Sequence, residues 1–110
     1  MMSNLLEQRC SHQSGEPLNI ETVNEYLSDL EQSWCLNTNQ HQIKFDFKFK
    51  DFHETMSFVN ALAWIANQQD HHPDLEVGYN HCLVRFSTHS VGGLSINDFI
   101  CAAKVEKLLQ

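Results

Sequence analysis

The stretch 43–70, IKFDFKFKDFHETMSFVNALAWIANQQD, changes period halfway along, and that change decides the fold. Ile43, Phe45, Phe47 and Phe49 alternate with Lys44, Asp46, Lys48 and Lys50. Successive side chains of a strand point to opposite faces, so this run predicts a strand with one dry face and one wet face. From about Asp51 the apolar residues recur at three and four instead: Phe52, Met56, Val59, Ala63 and Ala66, with Phe58, Leu62 and Ile65 widening the stripe. That is the helical period. Small alanines at 61, 63 and 66 let such a helix lie close across a sheet. Pro73 cannot continue it and disfavours helical geometry at His72, so the helix is expected to end near Asp70 or His71.

Upstream, Trp34 to Asn37 reads as a short strand, and Asn37-Thr38-Asn39-Gln40 as the turn that makes it a hairpin with the 43–50 strand. Before it, Asn19 is placed to cap a helix from Glu21 to Gln32, with Val23, Tyr26, Leu27 and Leu30 on one face. Downstream, Leu75, Val77 and Tyr79 give a third strand. Asn80-His81 suits a two-residue turn. Cys82 to His89 alternates as a fourth strand, broken by Gly92-Gly93. Ser95 and Asp98 then have capping-box spacing for a last helix carrying Phe99, Ile100, Ala103, Val105 and Leu108. The order α-β-β-α-β-β-α predicts an α+β fold, a four-stranded antiparallel sheet with three helices packed on one face. Residues 1–18 read as a loosely packed N-terminal arm, and 19–110 as a single domain.

Bulk properties narrow the function classes. A chain of 110 residues fits one domain. A net charge of −7 with no basic run argues against nucleic acid or an anionic membrane as partner. No apolar run approaches the ~20 residues that span a bilayer, and no signal peptide is visible. The four cysteines are scattered without a CxxC pair. Cys35, Cys82 and Cys101 have apolar neighbours and are expected to be buried thiols. Cys10 and His12 are two possible metal ligands, too few for a site. A reducing cytoplasmic location is the expectation.

The candidate chemistry lies in the seven histidines. His41, His53 and His81 fall in expected turns or helix starts and read as solvated. His71 and His72 leave the long helix, and His89 ends the fourth strand. An Asn80-His81 turn would set Pro73 opposite Thr88 and His72 opposite His89, about 5 Å apart. Three readings of this cluster are open at this point. The imidazoles are ordinary element-end residues; they hold zinc as a three-histidine set; or they work by acid–base chemistry without metal, with Asp70 or Asp98 orienting one of them.

The residues Asp70-His71-His72-Pro73, Tyr79, His89 and Asp98, at these spacings, resemble the signature of the pterin-4a-carbinolamine dehydratases. Phe58-Val59-Asn60-Ala61, Ser87-Thr88-His89, Gly93-Leu94, Asp98-Phe99-Ile100 and the Trp34 strand extend the likeness across roughly 21–107. The resemblance implies dehydration of 4a-hydroxytetrahydrobiopterin to quinonoid dihydrobiopterin, recycling the cofactor of aromatic amino acid hydroxylases such as phenylalanine hydroxylase. It implies catalytic His71, His72 and His89, and no metal or other cofactor. His71 is assigned the general acid, His89 the base or a positioning group, and His72 pterin binding or a share of the acid role. Asn67, Asp70, Pro73, Ser87, Thr88 and Asp98 are expected to bind or orient. It also implies a homodimer or homotetramer. Some members bind a transcription factor, so the alternative is a regulatory binding module with a weak or vestigial site. One departure stands out: the signature has an ionisable residue where this chain has Asn67.

Overall fold

The computed structural model describes residues 4–37, 39 and 41–109; Thr38 and Gln40 of the expected turn lie outside them. Helix α1 spans Ile20–Asp29, strand β1 Cys35–Leu36, β2 Ile43–Lys48, α2 Phe52–Gln69, β3 Asp74–Val77, β4 His81–Phe86 and α3 Ile96–Glu106. The element order is the expected one. All pairings are antiparallel and the sheet order is β1-β2-β4-β3. The two strands flanking α2 therefore end up at the sheet centre and rim, with β4 inserted beside β2 from Ile43↔Phe86 to Lys48↔His81.

The alternation in 43–50 does what its period requires. Ile43 and Phe47 are buried with Cys82, Val84 and Phe86 of β4. Trp34 packs against Phe45, Phe47 and Phe86, and Phe58 of α2 covers Phe47 and Phe49. Lys44, Asp46 and Lys48 take the opposite face, where Asp46 bonds both Lys48 and His81 at 2.9 Å. His81 is thus a strand residue with a carboxylate partner, not a solvated turn residue. Cys82 and Cys101 are buried as expected, whereas Cys35, on the short rim strand β1, is exposed.

Helix α2 buries a different line from the one its hydrophobicity suggests. Thr55, Phe58, Leu62 and Ala66 face the core, while Phe52, Ala63 and Trp64 face out. The reason is Thr55. Its hydroxyl donates to Asp51 O at 2.8 Å and Tyr79 O at 3.0 Å, so a polar residue holds a core position that an apolar count discounts.

The β3–β4 hairpin is also two residues out from the expected register. Asp74 pairs with Arg85, where an Asn80-His81 turn would have given Ser87. The turn is Tyr79-Asn80, closed by the Gly78 amide donating to His81 O at 2.9 Å. Glycine permits this closure: a Cβ at 78 would lie 2.4 Å from His81 Nε2. A two-residue slip preserves which face each side chain takes. It does remove the pairing of His72 with His89. Strand β4 stops at Phe86, and His89 opens a 3-10 turn, His89–Val91, beyond it.

The lead-in is anchored more firmly than its composition suggests. Leu5 is buried, and Lys104 donates to Leu6 O at 2.7 Å. Buried Glu106, which the sequence reading passed over, accepts from Glu31 N, Gln32 N and Trp34 Nε1 at 2.7–2.9 Å and ties the segment after α1 to α3.

Candidate active site

Two helix ends and one strand end build the site. The last turn of α2 closes when Asp70 takes left-handed backbone (φ 50°) and the His71 amide donates to Ala66 O at 3.2 Å. Aspartate is among the few non-glycine residues that tolerate that region. The chain then turns off the helix axis, and His71 points towards the start of α3 instead of continuing the helix. There the capping box forms as its spacing predicted: Ser95 caps the helix, and Asp98 accepts from the Ser95 amide. That bond, at 2.9 Å, and a 2.8 Å bond from the Thr88 hydroxyl occupy one oxygen of Asp98. The other oxygen, Oδ1, lies 2.6 Å from His71 Nε2.

Asp98 is 0% exposed and the His71 side chain 11%. A carboxylate so buried needs partners for its lone pairs, and here both oxygens have them. Burial works against charging His71, but the hydrogen bond and charge of Asp98 outweigh it and hold the imidazole above its ordinary pKa. The ring also lies parallel to Phe86, with centroids 6.0 Å apart, which limits its rotation. His71 is therefore oriented, inclined to carry a proton, and bonded through Nε2, leaving Nδ1 for other chemistry.

His71 opens onto a cavity of about 510 Å³, within the range of small-molecule sites. Asp70, His72, Ser87, Thr88 and His89 line it too, so the structure gathers most of the residues expected from sequence. His72 is exposed, with Nε2 3.2 Å from Asn67 Oδ1. His89 reaches the cavity from the 3-10 turn and not from a paired strand position. Asp98 and Asn67 lie behind the lining, in contact with His71 and His72. Pro73 is not part of the lining and shapes the exit from α2.

Sequence reasoning missed one whole wall. Residues 10–13 of the N-terminal arm line the cavity beside the end of α2. They are held by Asn97, which accepts from Ser11 N at 3.2 Å and donates to Ser11 O at 2.7 Å. Gln69 accepts from Cys10 N at 2.8 Å, and Ser90 donates to Gln13 O at 2.9 Å. Cys10 and His12 stood out in this segment only as two possible metal ligands, too few for a site. Among the described residues, no three His, Cys, Asp or Glu side chains converge as a metal-ligating group.

Comparison with known proteins shows the family and the fold. The family profile described as pterin 4 alpha carbinolamine dehydratase matches residues 16–108. A Legionella pneumophila protein provisionally named pterin-4-alpha-carbinolamine dehydratase is 51% identical over 111 residues, covering 99% of this chain and 98% of that one. A Chromobacterium violaceum protein with the same provisional name is 52% identical over 108 residues, covering 97% of each. Among solved structures, a Brucella melitensis transcriptional coactivator/pterin dehydratase superposes with a TM-score of 0.81 at 32% identity, covering 86% of this chain and all of that one. A pterin dehydratase-like RuBisCO assembly factor of the alpha-carboxysome shares the fold, with a TM-score of 0.62 at 20% identity, over 71% of this chain and 90% of that one.

Proposed function

This chain belongs to the pterin-4a-carbinolamine dehydratase family of hydro-lyases, and from that premise we propose that it dehydrates 4a-hydroxytetrahydrobiopterin to quinonoid dihydrobiopterin by histidine acid–base chemistry, with no metal and no further cofactor. The observation that carries the reading is the His71–Asp98 pair at 2.6 Å, opening onto a cavity that His72 and His89 share. The reaction removes a hydroxyl from the carbon bridging the two rings and a proton from the adjacent ring nitrogen. His71, as the imidazolium favoured by Asp98, gives its Nδ1 proton to the departing hydroxyl. The C–O bond breaks and water leaves. His89 takes the proton from the nitrogen, whose electron pair forms the new C=N bond. His71 then regains a proton from solvent and His89 gives one up to it, so both groups are restored over one turnover. His72, steadied by Asn67, faces the same cavity and is assigned to holding the pterin.

The cavity wall is polar and rimmed by imidazoles, which suits a flat heterocycle with many ring nitrogens. Membership supports a pterin substrate; a link to phenylalanine hydroxylase and a cytoplasmic setting follow as parts of the proposal. We also propose a homodimer or homotetramer. Val77 and Tyr79 on the rim hairpin and Trp64 on the outer face of α2 are exposed apolar surface of the kind that self-association covers. Light scattering that gives a monomer at micromolar concentration sinks that part.

The decisive experiment is a dehydration assay, following the ultraviolet change of freshly generated hydroxypterin. Catalysis well above buffer is expected. A folded protein no faster than buffer would overturn the enzymatic reading and favour the binding-module alternative, whose support is the double designation of the Brucella structure.

A further inference from the structure

The four cysteines take no part in the proposed reaction, yet two of them meet beside its cavity. Cys10 Sγ and Cys101 Sγ are 3.5 Å apart, although 91 residues separate them in sequence. Cys10 is half-buried and lines the cavity; Cys101 lies behind it on α3, 1% exposed. A disulfide needs the sulfurs at about 2.05 Å, so they must close by about 1.5 Å. Cys10 sits on an arm, and an arm can make that movement more easily than a packed helix.

We propose that Cys10 and Cys101 form a modification site, at which a hydroperoxide entering the cavity closes a disulfide between the N-terminal arm and α3. Cys10 is the attacking thiol, being the one that faces the cavity. Its thiolate attacks the peroxide oxygen, the O–O bond breaks, and the other oxygen leaves as an alcohol, or as water from hydrogen peroxide, after taking a proton. Cys10 is then a sulfenic acid. The sulfur of Cys101 attacks it, the S–O bond breaks, and the hydroxyl leaves as water with the Cys101 proton. Two thiols lose two electrons in total and the peroxide gains them.

The surroundings divide the two roles in the same way. Either sulfur can donate across the 3.5 Å contact. A Cys101 thiol donating to Cys10, with His71 and Lys104 nearby, favours the Cys10 thiolate over the opposing effects of burial and Asp98. Cys101 is pushed up well above the usual thiol range by that same hydrogen bond and by burial, so it waits as the protonated partner. Cys82 is buried in the sheet core and pushed up to about 11, which leaves it inert. Exposed Cys35, on β1 at the far rim of the sheet, is the internal control.

The test treats the full-length reduced protein with a small excess of hydrogen peroxide and maps its thiols by mass spectrometry. Digestion with trypsin plus a glutamate-specific protease puts the four cysteines on separate peptides. The expected product is one intramolecular link between the Cys10 and Cys101 peptides, reversed by dithiothreitol, with Cys35 and Cys82 still free. Cys101→Ala should trap Cys10 as a sulfenic acid captured by dimedone, and Cys10→Ser should leave Cys101 a free thiol. Cys10 still reduced when Cys35 is oxidised overturns the proposal. So does linkage to Cys35, linkage between chains, or oxidation of Cys101 in the Cys10→Ser protein at the parent rate.

Discussion

His71 and His72 are neighbours in sequence that occupy opposite environments. The His71 ring is stacked on Phe86, nearly enclosed, and bonded at 2.6 Å to a carboxylate whose second oxygen is held by Thr88 and Ser95. The His72 ring is exposed and meets an amide oxygen at 3.2 Å. Pro73, fixing the backbone just after α2 stops, lets one imidazole turn inward and the next outward. One ring is thereby given a fixed direction and a stronger hold on its proton, and the other is left exposed. Identical side chains acquire different chemistry from the partner each one reaches, which motif spacing by itself does not specify.

The contrast is broken most directly by truncation. His71→Ala should lower the dehydration rate constant by ~100-fold or more, the usual contribution of a general acid–base group. His72→Ala should cost less than about tenfold and appear mainly in KM. Equal losses in kcat for the two variants would erase the division of roles. Asp98→Asn removes the charge and keeps the shape. It should lower kcat by at least about tenfold and shift the descending, high-pH limb of the rate profile to lower pH, because His71 would lose its proton sooner without Asp98.

The same pair makes a stability prediction whose sign can be worked out. The folded-state pKa of His71 is raised, so the folded chain holds that proton more tightly than the unfolded chain. Its contribution is fully present below the ordinary histidine value of about 6.5 and is lost as pH rises through the higher folded value. Urea midpoints should therefore include a component that falls with rising pH across that window. The component should vanish in Asp98→Asn and persist in His72→Ala. A flat difference between the parent and Asp98→Asn across that window would contradict the linkage.

Asn67 allows the comparison to be sharpened from the other side. Asn67→Asp would give His72 a carboxylate at the position where Asn67 Oδ1 now stands, making the second imidazole more like the first. In the parent protein the change should alter activity by no more than a few-fold. In the His71→Ala background it should recover several-fold, because a protonated His72 could then act as the acid. Failure to recover any rate would show that burial and ring orientation, and not charge alone, distinguish His71.

How much of this was legible in the sequence depended on whether the cause was local. Asn19, Asp51 and Ser95 cap their helices as side chains within three residues dictate. Ile43 to Phe49 announces its dry face through period alone. The Asp98 capping box was readable, and Asp98 was one of two carboxylates expected to orient an imidazole, but that it meets His71, 27 positions away, depends on how α2 and α3 pack. Thr55 displaced the expected stripe of α2 because it satisfies a carbonyl on a distant turn. Gly78 moved the hairpin turn by making room for His81, a contact that exists only once the strands have paired. Residues 10–13 carry no period or turn signature of their own. Their position as a cavity wall comes from Asn97, Gln69 and Ser90, each contributed by a distant part of the chain.

That wall gives the smallest predicted effect. Asn97→Ala removes both the acceptor for Ser11 N and the donor to Ser11 O, two bonds each contributing about 1 kcal/mol net. The bonds from Cys10 N to Gln69 and from Ser90 to Gln13 remain, so the arm should loosen without leaving. None of the lost atoms is assigned to proton transfer, so KM for the hydroxypterin should rise a few-fold with kcat nearly unchanged. Cleavage after Arg9 by trypsin under native conditions should quicken in parallel, since the loosened segment is the one a protease must extract. A fall in kcat with unchanged KM would instead mean that the arm acts through His71, and the enclosed imidazole would then depend on a third element besides α2 and α3.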